Sequence, residues 1–397
     1  MKDKLNIAMV SYQRPHLGGS GIMTNELAKA LAKEGHSIHM VSYPGTYLTE
    51  SEEGLGMTMH PVEDINYPCF KAEPYSETLA GQLTNIEKDH GRLDVIHANY
   101  AITHGLAALV AKEIIRRKRG DGSAPRTVIT CHGSDIHTNG SSELLYPTIE
   151  YLLLEADDVT YVSKALRNEA EKLYPKTNGN GKVIYNFIDT ERFNKDFEGR
   201  DEKRYRLGLG IDDIVVYHAS NFRPVKNTGL IVDAAELLYT DRNLGNIKFL
   251  MVGEGPELSR LKAEIDKRGL RAYFKIAGRT TDVVPYINAC DVGLLSSKRE
   301  SFGLALLETM ACELPVIGSN TGGIPEVIEE GKNGYIFESE NARDLADKII
   351  LMTKDSERRK EMGKRSLEIA KERFTPQWIL PQYLDVYRGI NKPHEVI

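Results

Sequence analysis

Cysteine is scarce in this chain. Cys69, Cys131, Cys290 and Cys312 are all there is, and no two form a Cys-x-x-Cys pair. Such scatter speaks against a zinc site or a disulfide framework and for free thiols in a reducing compartment. Excess positive charge is missing as well. The net charge is −6, from 51 Lys and Arg against 57 Asp and Glu, whereas nucleic-acid-binding domains usually carry a basic footprint. No nucleic-acid partner is expected. No apolar run approaches the ~18 residues of a membrane span. The opening residues, MKDKLNIAMV, hold too short an apolar stretch for a secretory signal. A cytoplasmic protein is expected. Two nucleotide fingerprints are also absent. Gly18-Gly19-Ser20-Gly21 lacks the Gly-x-Gly-x-x-Gly spacing, and there is no Gly-x4-Gly-Lys-Ser/Thr loop. A Rossmann dehydrogenase is thereby disfavoured.

What is present is a regular alternation. A length of 397 residues suggests two or three domains, and 41% hydrophobic with 27% charged residues is ordinary soluble composition. Leu5 to Ser11 is an apolar run, followed by a glycine loop, a helical pattern from Ile22 to Glu34, and a second apolar run from Ser37 to Ser42. That is a βαβ unit. Further runs at Asp94–Ala98, Thr127–Cys131, Val159–Ser163 and Lys182–Asn186 continue the pattern. A new set begins at Ile214–Ala219 and proceeds through Phe249–Val252, Phe274–Arg279, Val292–Ser296, Leu314–Gly318 and Tyr335–Phe337. Strands alternating with helices in both halves predict two parallel, doubly wound sheets. Residues 49–90, rich in Glu, Pro and Tyr, read as a peripheral flap with one helix over Ser76–Asp89. The polar stretch from Asn186 to Arg204 reads as the link between domains. Arg116, Arg117, Lys118 and Arg119 close a helix, where cations favour the dipole. A solvated helix end is the expected role, with a peripheral membrane contact as the alternative.

The chain is organised around DVGLLSSKRESFGLALLETMACELPVIGSNTGGIPEV, Asp291 to Val327. A strand, a charged loop and a short helix opening near Phe302-Gly303 are followed by a second strand and a Gly-Gly turn. In an open α/β sheet, ligands bind at the carboxyl ends of the strands. A helix N-terminus there offers free N–H groups suited to a phosphate. Gly303 lets the backbone approach a ligand, and Glu308 could accept hydrogen bonds from a diol. Elsewhere, Arg223 and Lys226 lie three apart beyond a strand end, two cations able to offset charge on a departing diphosphate. No Asp-x-Asp pair is seen for a metal.

With Glu300 and Glu308 flanking Ser301-Phe302-Gly303-Leu304, and with Pro315 and Gly322-Gly323-Ile324-Pro325-Glu326 following, this stretch resembles the Glu-x7-Glu region of the retaining GT-B glycosyltransferases of family 4. The likeness extends to Gly18–Gly21, Pro74-Tyr75, His97–Ala101, His132-Gly133-Ser134-Asp135-Ile136, Tyr185–Asp189 and Ser220–Arg223, and so covers nearly the whole chain. The resemblance implies two Rossmann-like domains facing a central cleft: residues 1–190 on the acceptor side, 191–375 on the nucleotide-sugar side, and a final helix over 376–397, with the lone Trp378, packed back on the first domain. It implies no cofactor beyond a UDP-linked sugar. The expected reaction is metal-independent, retaining transfer of N-acetylglucosamine to a small hydroxy acid such as L-malate, with a place in bacillithiol biosynthesis. Transfer of a hexose to a lipid or polysaccharide is the alternative. A homodimer is compatible with the sequence.

Residue by residue, the resemblance assigns catalysis to His132, Glu300, Arg223 and Lys226. It assigns donor binding to Gly18, Gly19, Arg223, Lys226, Gly253, Arg279, Glu300, Phe302, Gly303, Leu304 and Glu308, and acceptor binding to Ser20, Tyr100 and Ser134. The donor phosphate itself would take the acceptor's proton. One departure concerns the acceptor: the helix after His132 reads Tyr146-Pro147-Thr148-Ile149-Glu150-Tyr151, with no Arg or Lys to hold a dicarboxylate.

Overall fold

Ile7, Ala8, Met9 and Val10 are all fully buried, so the first strand, β1 (Asn6–Val10), is covered on both faces. Apolar runs without alternation belong to inner strands of parallel sheets, whose two faces carry helices. The same holds for β4 (Val95–Asn99) and β5 (Arg126–Cys131). With β2 (Ser37–Ser42), β3 (Met57–Pro61), β6 (Asp158–Tyr161) and β7 (Gly181–Val183) they form a seven-stranded sheet ordered β3-β2-β1-β4-β5-β6-β7. A second sheet of six contains β8 (Ile214–Ala219), β9 (Ile247–Val252), β10 (Phe274–Gly278), β11 (Val292–Leu295), β12 (Val316–Ser319) and β13 (Gly334–Phe337), ordered β10-β9-β8-β11-β12-β13. Each adjacent pair is parallel. Strand order reverses between β1 and β4 in the first sheet and between β8 and β11 in the second, the positions where such sheets bind ligands. The computed structural model describes residues 4–14, 18–63, 65, 74–140, 142–196, 198–240 and 244–390. They divide into two units, Met1–Asn186 with Pro376–Ile397, and Phe187–Thr375.

Two stretches differ from the reading of the sequence. The supposed flap contributes a short helix, Glu50–Gly54, and the edge strand β3. Its sequence, Met-Thr-Met-His-Pro, buries only Met57 and His60. An edge strand needs one partner and one covered face, so its apolar signal is weak. The polar stretch taken for a link runs into a helix, Glu198–Leu207, that is built into the second unit. Arg204 is buried there and donates to the carbonyls of Ala289, Gly210, Ile211 and Asp213 at 2.9–3.0 Å, and to Asp291 at 2.7 Å. A buried guanidinium is tolerated only when its donors are met this way. Cys131, Cys290 and Cys312 are buried free thiols, and Cys69 lies outside the described residues. No helix among the described residues is long and apolar enough to cross a membrane.

The last helix, Pro376–Tyr387, lies against the first unit. The Tyr387 hydroxyl meets Nδ1 of fully buried His97 at 2.8 Å, and His97 Nε2 meets Thr130 Oγ1 at 2.6 Å. Arg126 Nε donates to the carbonyl of Val386 at 3.0 Å.

Elsewhere in the first unit, three imidazoles crowd together. The His39, His60 and His90 rings stand 4.9–5.0 Å apart, with His39 Nδ1 and His60 Nε2 hydrogen-bonded at 2.9 Å. Burial, reinforced by the neighbouring imidazoles, pushes His39 and His60 down to about 4. The unfolded chain therefore takes up protons first as pH falls below the ordinary histidine value. The stability carried by the neutral pair is present above that value and lost as pH falls towards 4. Urea unfolding at about pH 5 is expected to show stability lower by a few kcal/mol than at neutral pH. His60→Gln should shrink the difference, and an unchanged pH dependence in that variant would remove the pair as its source.

Candidate active site

The first unit's site is built on loops leaving β1, β4 and β5. Gly18 precedes the helix Gly19–Lys33, and that N-terminus has neither a side-chain cap nor an acid in its first turn. Both glycines are exposed, and a Cβ on either would meet nothing. Packing among the described residues does not demand them, and a helix N-terminus of this kind suits an anion. Ser20 Oγ meets the Tyr100 hydroxyl at 2.6 Å, a bond that spans the β1–β4 reversal. Exposed Ser134 also hydrogen-bonds that hydroxyl. Tyr100 sits at φ +83 and Thr103 at +69, conformations that non-glycine residues hold only when their surroundings impose them. Here Asp135 does so. Its buried carboxylate accepts from the Ala101 N–H at 2.7 Å and the His132 N–H at 3.1 Å, pinning the β4 and β5 loops together. Burial raises the Asp135 carboxyl to about 6 despite these bonds.

His132 faces Asn99, with Nε2 2.8 Å from Oδ1. Asn99 Nδ2 donates to the Val10 carbonyl, so Oδ1 is the acceptor and His132 Nε2 carries the proton. Its Nδ1 is then an acceptor. Burial, aided by His104, holds His132 down near 3, so the ring is neutral at physiological pH. It can accept a hydrogen bond from a hydroxyl but brings no positive charge.

The sequence reading missed an aromatic wall along the same strand ends. Tyr75 stacks on Tyr43 at 4.2 Å, Tyr43 on Tyr12 at 5.5 Å, and Tyr12 meets Tyr100 edge-on at 5.6 Å. These tyrosines come from four separate stretches, so no local pattern could reveal the wall. The residue on the following helix where a cation was sought, Glu150, is paired with Lys176 at 2.9 Å and accepts from the Tyr146 hydroxyl at 3.3 Å.

The second unit's site lies at the β8–β11 reversal. Lys226, beyond β8, donates to Glu300 Oε2, beyond β11, at 2.6 Å. Both side chains are mostly shielded, at 21% and 16% exposure, so this pair is screened less than a surface one. Ser297 Oγ donates to the same Oε2 at 3.1 Å, which leaves Oε1 for a ligand hydroxyl. Arg223, beyond the same strand, is exposed and lines a groove of about 410 Å³ with Arg260, Arg268 and Lys298.

Gly303 adopts φ +103 and opens the helix Leu304–Ala311 with no side-chain cap. The conformation requires glycine there, and Leu304 begins the helix's uncapped first turn. The Phe302 ring is turned into the core, edge-on to Phe374 at 5.6 Å, so only its backbone is available to a ligand. Gly253 is at φ +125, where a Cβ would run into the carbonyl of Ser220. Arg279 pairs with Glu254 at 3.2 Å, both well exposed. Glu308 lies inside the helix, and burial pushes its carboxyl up to about 7, with Arg192 opposing. The Tyr217 hydroxyl, buried without a hydrogen-bond partner among the described residues, lies in the field of Glu308.

Comparisons with known proteins are concordant. The profile described as "Glycosyltransferase Family 4" matches residues 17–192, and "Glycosyl transferases group 1" matches residues 199–368. The N-acetyl-alpha-D-glucosaminyl L-malate synthase of Bacillus anthracis is 35% identical over 387 residues, 98% of this chain and 97% of that one. A D-inositol 3-phosphate glycosyltransferase of Saccharomonospora viridis is 23% identical, over 94% of this chain and 89% of its own. Among solved structures, the HepE protein of Anabaena in complex with UDP and glucose superposes with a TM-score of 0.79 at 21% identity, covering 97% of this chain and all of its own. At that identity the likeness speaks for the fold.

Proposed function

The chain belongs to glycosyltransferase family 4, and we propose that it moves N-acetylglucosamine from UDP-N-acetylglucosamine to the hydroxyl of a small hydroxy acid such as L-malate. Transfer retains the anomeric configuration and uses no metal, and the reaction runs in the cytoplasm. The observation that carries the donor half of this reading is the Lys226–Glu300 pair at 2.6 Å, set at the β8–β11 reversal beside an uncapped helix N-terminus. Loss of UDP develops negative charge on the diphosphate, and fixed donors aimed at that charge lower the barrier. Lys226 and the Leu304 N–H supply them, with Arg223 drawn in by the bound donor. Glu300 keeps Oε1 for a sugar hydroxyl, while Glu308 takes the ribose and Gly253 and Arg279 border the base. In the first unit, the Gly18-Gly19 helix end receives phosphate, and His132 Nδ1 accepts a hydroxyl of the transferred sugar. Ser20, Tyr100 and Ser134 hold the acceptor.

The acceptor rests on the Bacillus anthracis relative. A second reading, hexosyl transfer to a lipid or polysaccharide acceptor, draws on the tyrosine row that ends at Tyr100 and on the helix after His132, whose Glu150 is paired with Lys176. Sugar faces stack on tyrosine rings, whereas a dianion needs donors. The test is incubation with UDP-N-acetylglucosamine and a panel of hydroxy acids and sugars, with products read by NMR. An α-linked product on L-malate, undiminished in EDTA, is the expected result. Turnover that EDTA abolishes and Mg²⁺ or Mn²⁺ restores would end the metal-free reading. Product on sugars alone would transfer the case to the second reading.

A further inference from the structure

Three loops meet around the Lys226–Glu300 pair, and hydroxyl groups stitch them together. Ser296 Oγ donates to the carbonyls of Lys226 and Asn227 at 3.0 and 3.3 Å, and the Lys298 N–H donates to the Val225 carbonyl at 2.8 Å. On the other side, the end of β12 and the turn after it follow the Glu300 loop step by step. Ser319 Oγ donates to the Ser297 carbonyl at 2.7 Å, Thr321 Oγ1 to the Lys298 carbonyl at 3.0 Å, and the Gly323 N–H to the Glu300 carbonyl at 3.0 Å. Gly322, at φ +51, packs so closely that a Cβ would overlap the Glu300 carbonyl oxygen. Ser297 and Ser319 are fully buried.

Helix capping does not explain these bonds. Ser319 and Thr321 spend their hydroxyls on the backbone of a loop some twenty residues away. The carbonyls they satisfy belong to the short loop that carries Glu300. Loops without internal ladders hold a geometry only through such bonds. A catalytic pair held between two differently moving loops would wander, and misplacement by about 1 Å can cost about 10²-fold in rate.

We propose that Ser319 and Thr321, with the Gly322-Gly323 turn, are positioning residues for glycosyl transfer: they fix Glu300 and its partner Lys226 against the donor's sugar and diphosphate. Neither touches the donor; both act through the Glu300 loop. The inference rests on the donor reading given above. It places the specificity of the loop's geometry in β12 and the turn after it, which contribute none of the site's charged groups.

The test uses the full chain with Thr321→Val, Ser319→Ala and, as the conservative variant, Thr321→Ser. Thr321→Val is expected to lower kcat by about tenfold, with the donor KM and UDP affinity held within about twofold. Thr321→Ser should restore kcat. Because the brace acts through Glu300, Thr321→Val should add nothing in a Glu300→Gln background. Wild-type kcat in both Thr321→Val and Ser319→Ala overturns the proposal, as does an equal further loss on top of Glu300→Gln. Amide hydrogen exchange decides the matter independently of turnover: Thr321→Val should speed exchange across residues 297–303 and leave β8 and β9 unchanged. Equal exchange in that loop also overturns the brace. A chain that exchanges as expected yet transfers no sugar would instead refute the reaction.

Discussion

Replacing Lys226 with Ala is expected to lower kcat/KM by about 10²–10³-fold, the range seen when one fixed donor to developing charge is removed. The geometry suggests why the loss should reach that range. Lys226 does two tasks at once. Its ammonium would offset the departing diphosphate, and in the structure it already neutralises Glu300 at 2.6 Å. Without it, a shielded carboxylate stands unpaired beside an anionic leaving group, and like charges in a site of reduced dielectric repel strongly. Arg223 would remain to meet the diphosphate, but the contact with Glu300 is made by Lys226. Lys226→Ala combined with Glu300→Gln should therefore lose less than the two single changes multiplied together, since the second removes the charge that the first exposes. Steady-state transfer and UDP calorimetry on the four proteins measure this cycle. Turnover of Lys226→Ala within severalfold of wild type, or strictly multiplicative losses, would show that the pair does not act as a unit.

The second large effect is expected at Glu308. Glu308→Gln should weaken donor binding by about 10–100-fold, or about 1–3 kcal/mol, the scale of a lost charged hydrogen bond. Burial raises this carboxyl to about 7, so near neutrality it is part protonated. Only the ionised form offers both oxygens to a diol. The sign follows: below 7 the carboxyl is neutral and binds the ribose poorly, and above 7 it is charged and binds well. Wild-type affinity for UDP should rise as pH passes upward through 7, and that rise should vanish in Glu308→Gln. Calorimetry across this range checks both statements. An affinity that is flat in the wild type, or equally pH-dependent in the variant, would take the ribose away from Glu308.

Much of the architecture is legible in the residues alone. Runs such as Ile7–Val10 and Val292–Leu295 are apolar without alternation, and helical spacings lie between them. Both signals are local, arising from backbone period and from which faces must leave water. Turn chemistry is local too, so Gly303 and Gly322 could be marked as special before their φ values were known. The misreadings share one cause. β3 hides because an edge strand buries little, and the Glu198–Leu207 helix hides because Arg204 reads as solvated until its carbonyl partners surround it.

What only the tertiary structure decided is which of these groups meet. Lys226 and Glu300 are 74 residues apart, and their pairing follows from β8 lying beside β11, a fact of strand order. The same reversal between β1 and β4 brings Ser20 to Tyr100. The amino-acid sequence by itself determined the alternating elements, the two sheets and the residue types of the site. Charge state and partnership were decided by the fold. Burial, and not residue type, holds His132 neutral and lifts Glu308 to about 7. Solvent exclusion and adjacency come from strands far apart in the chain, and no stretch of sequence carries either property until the sheet has closed around it.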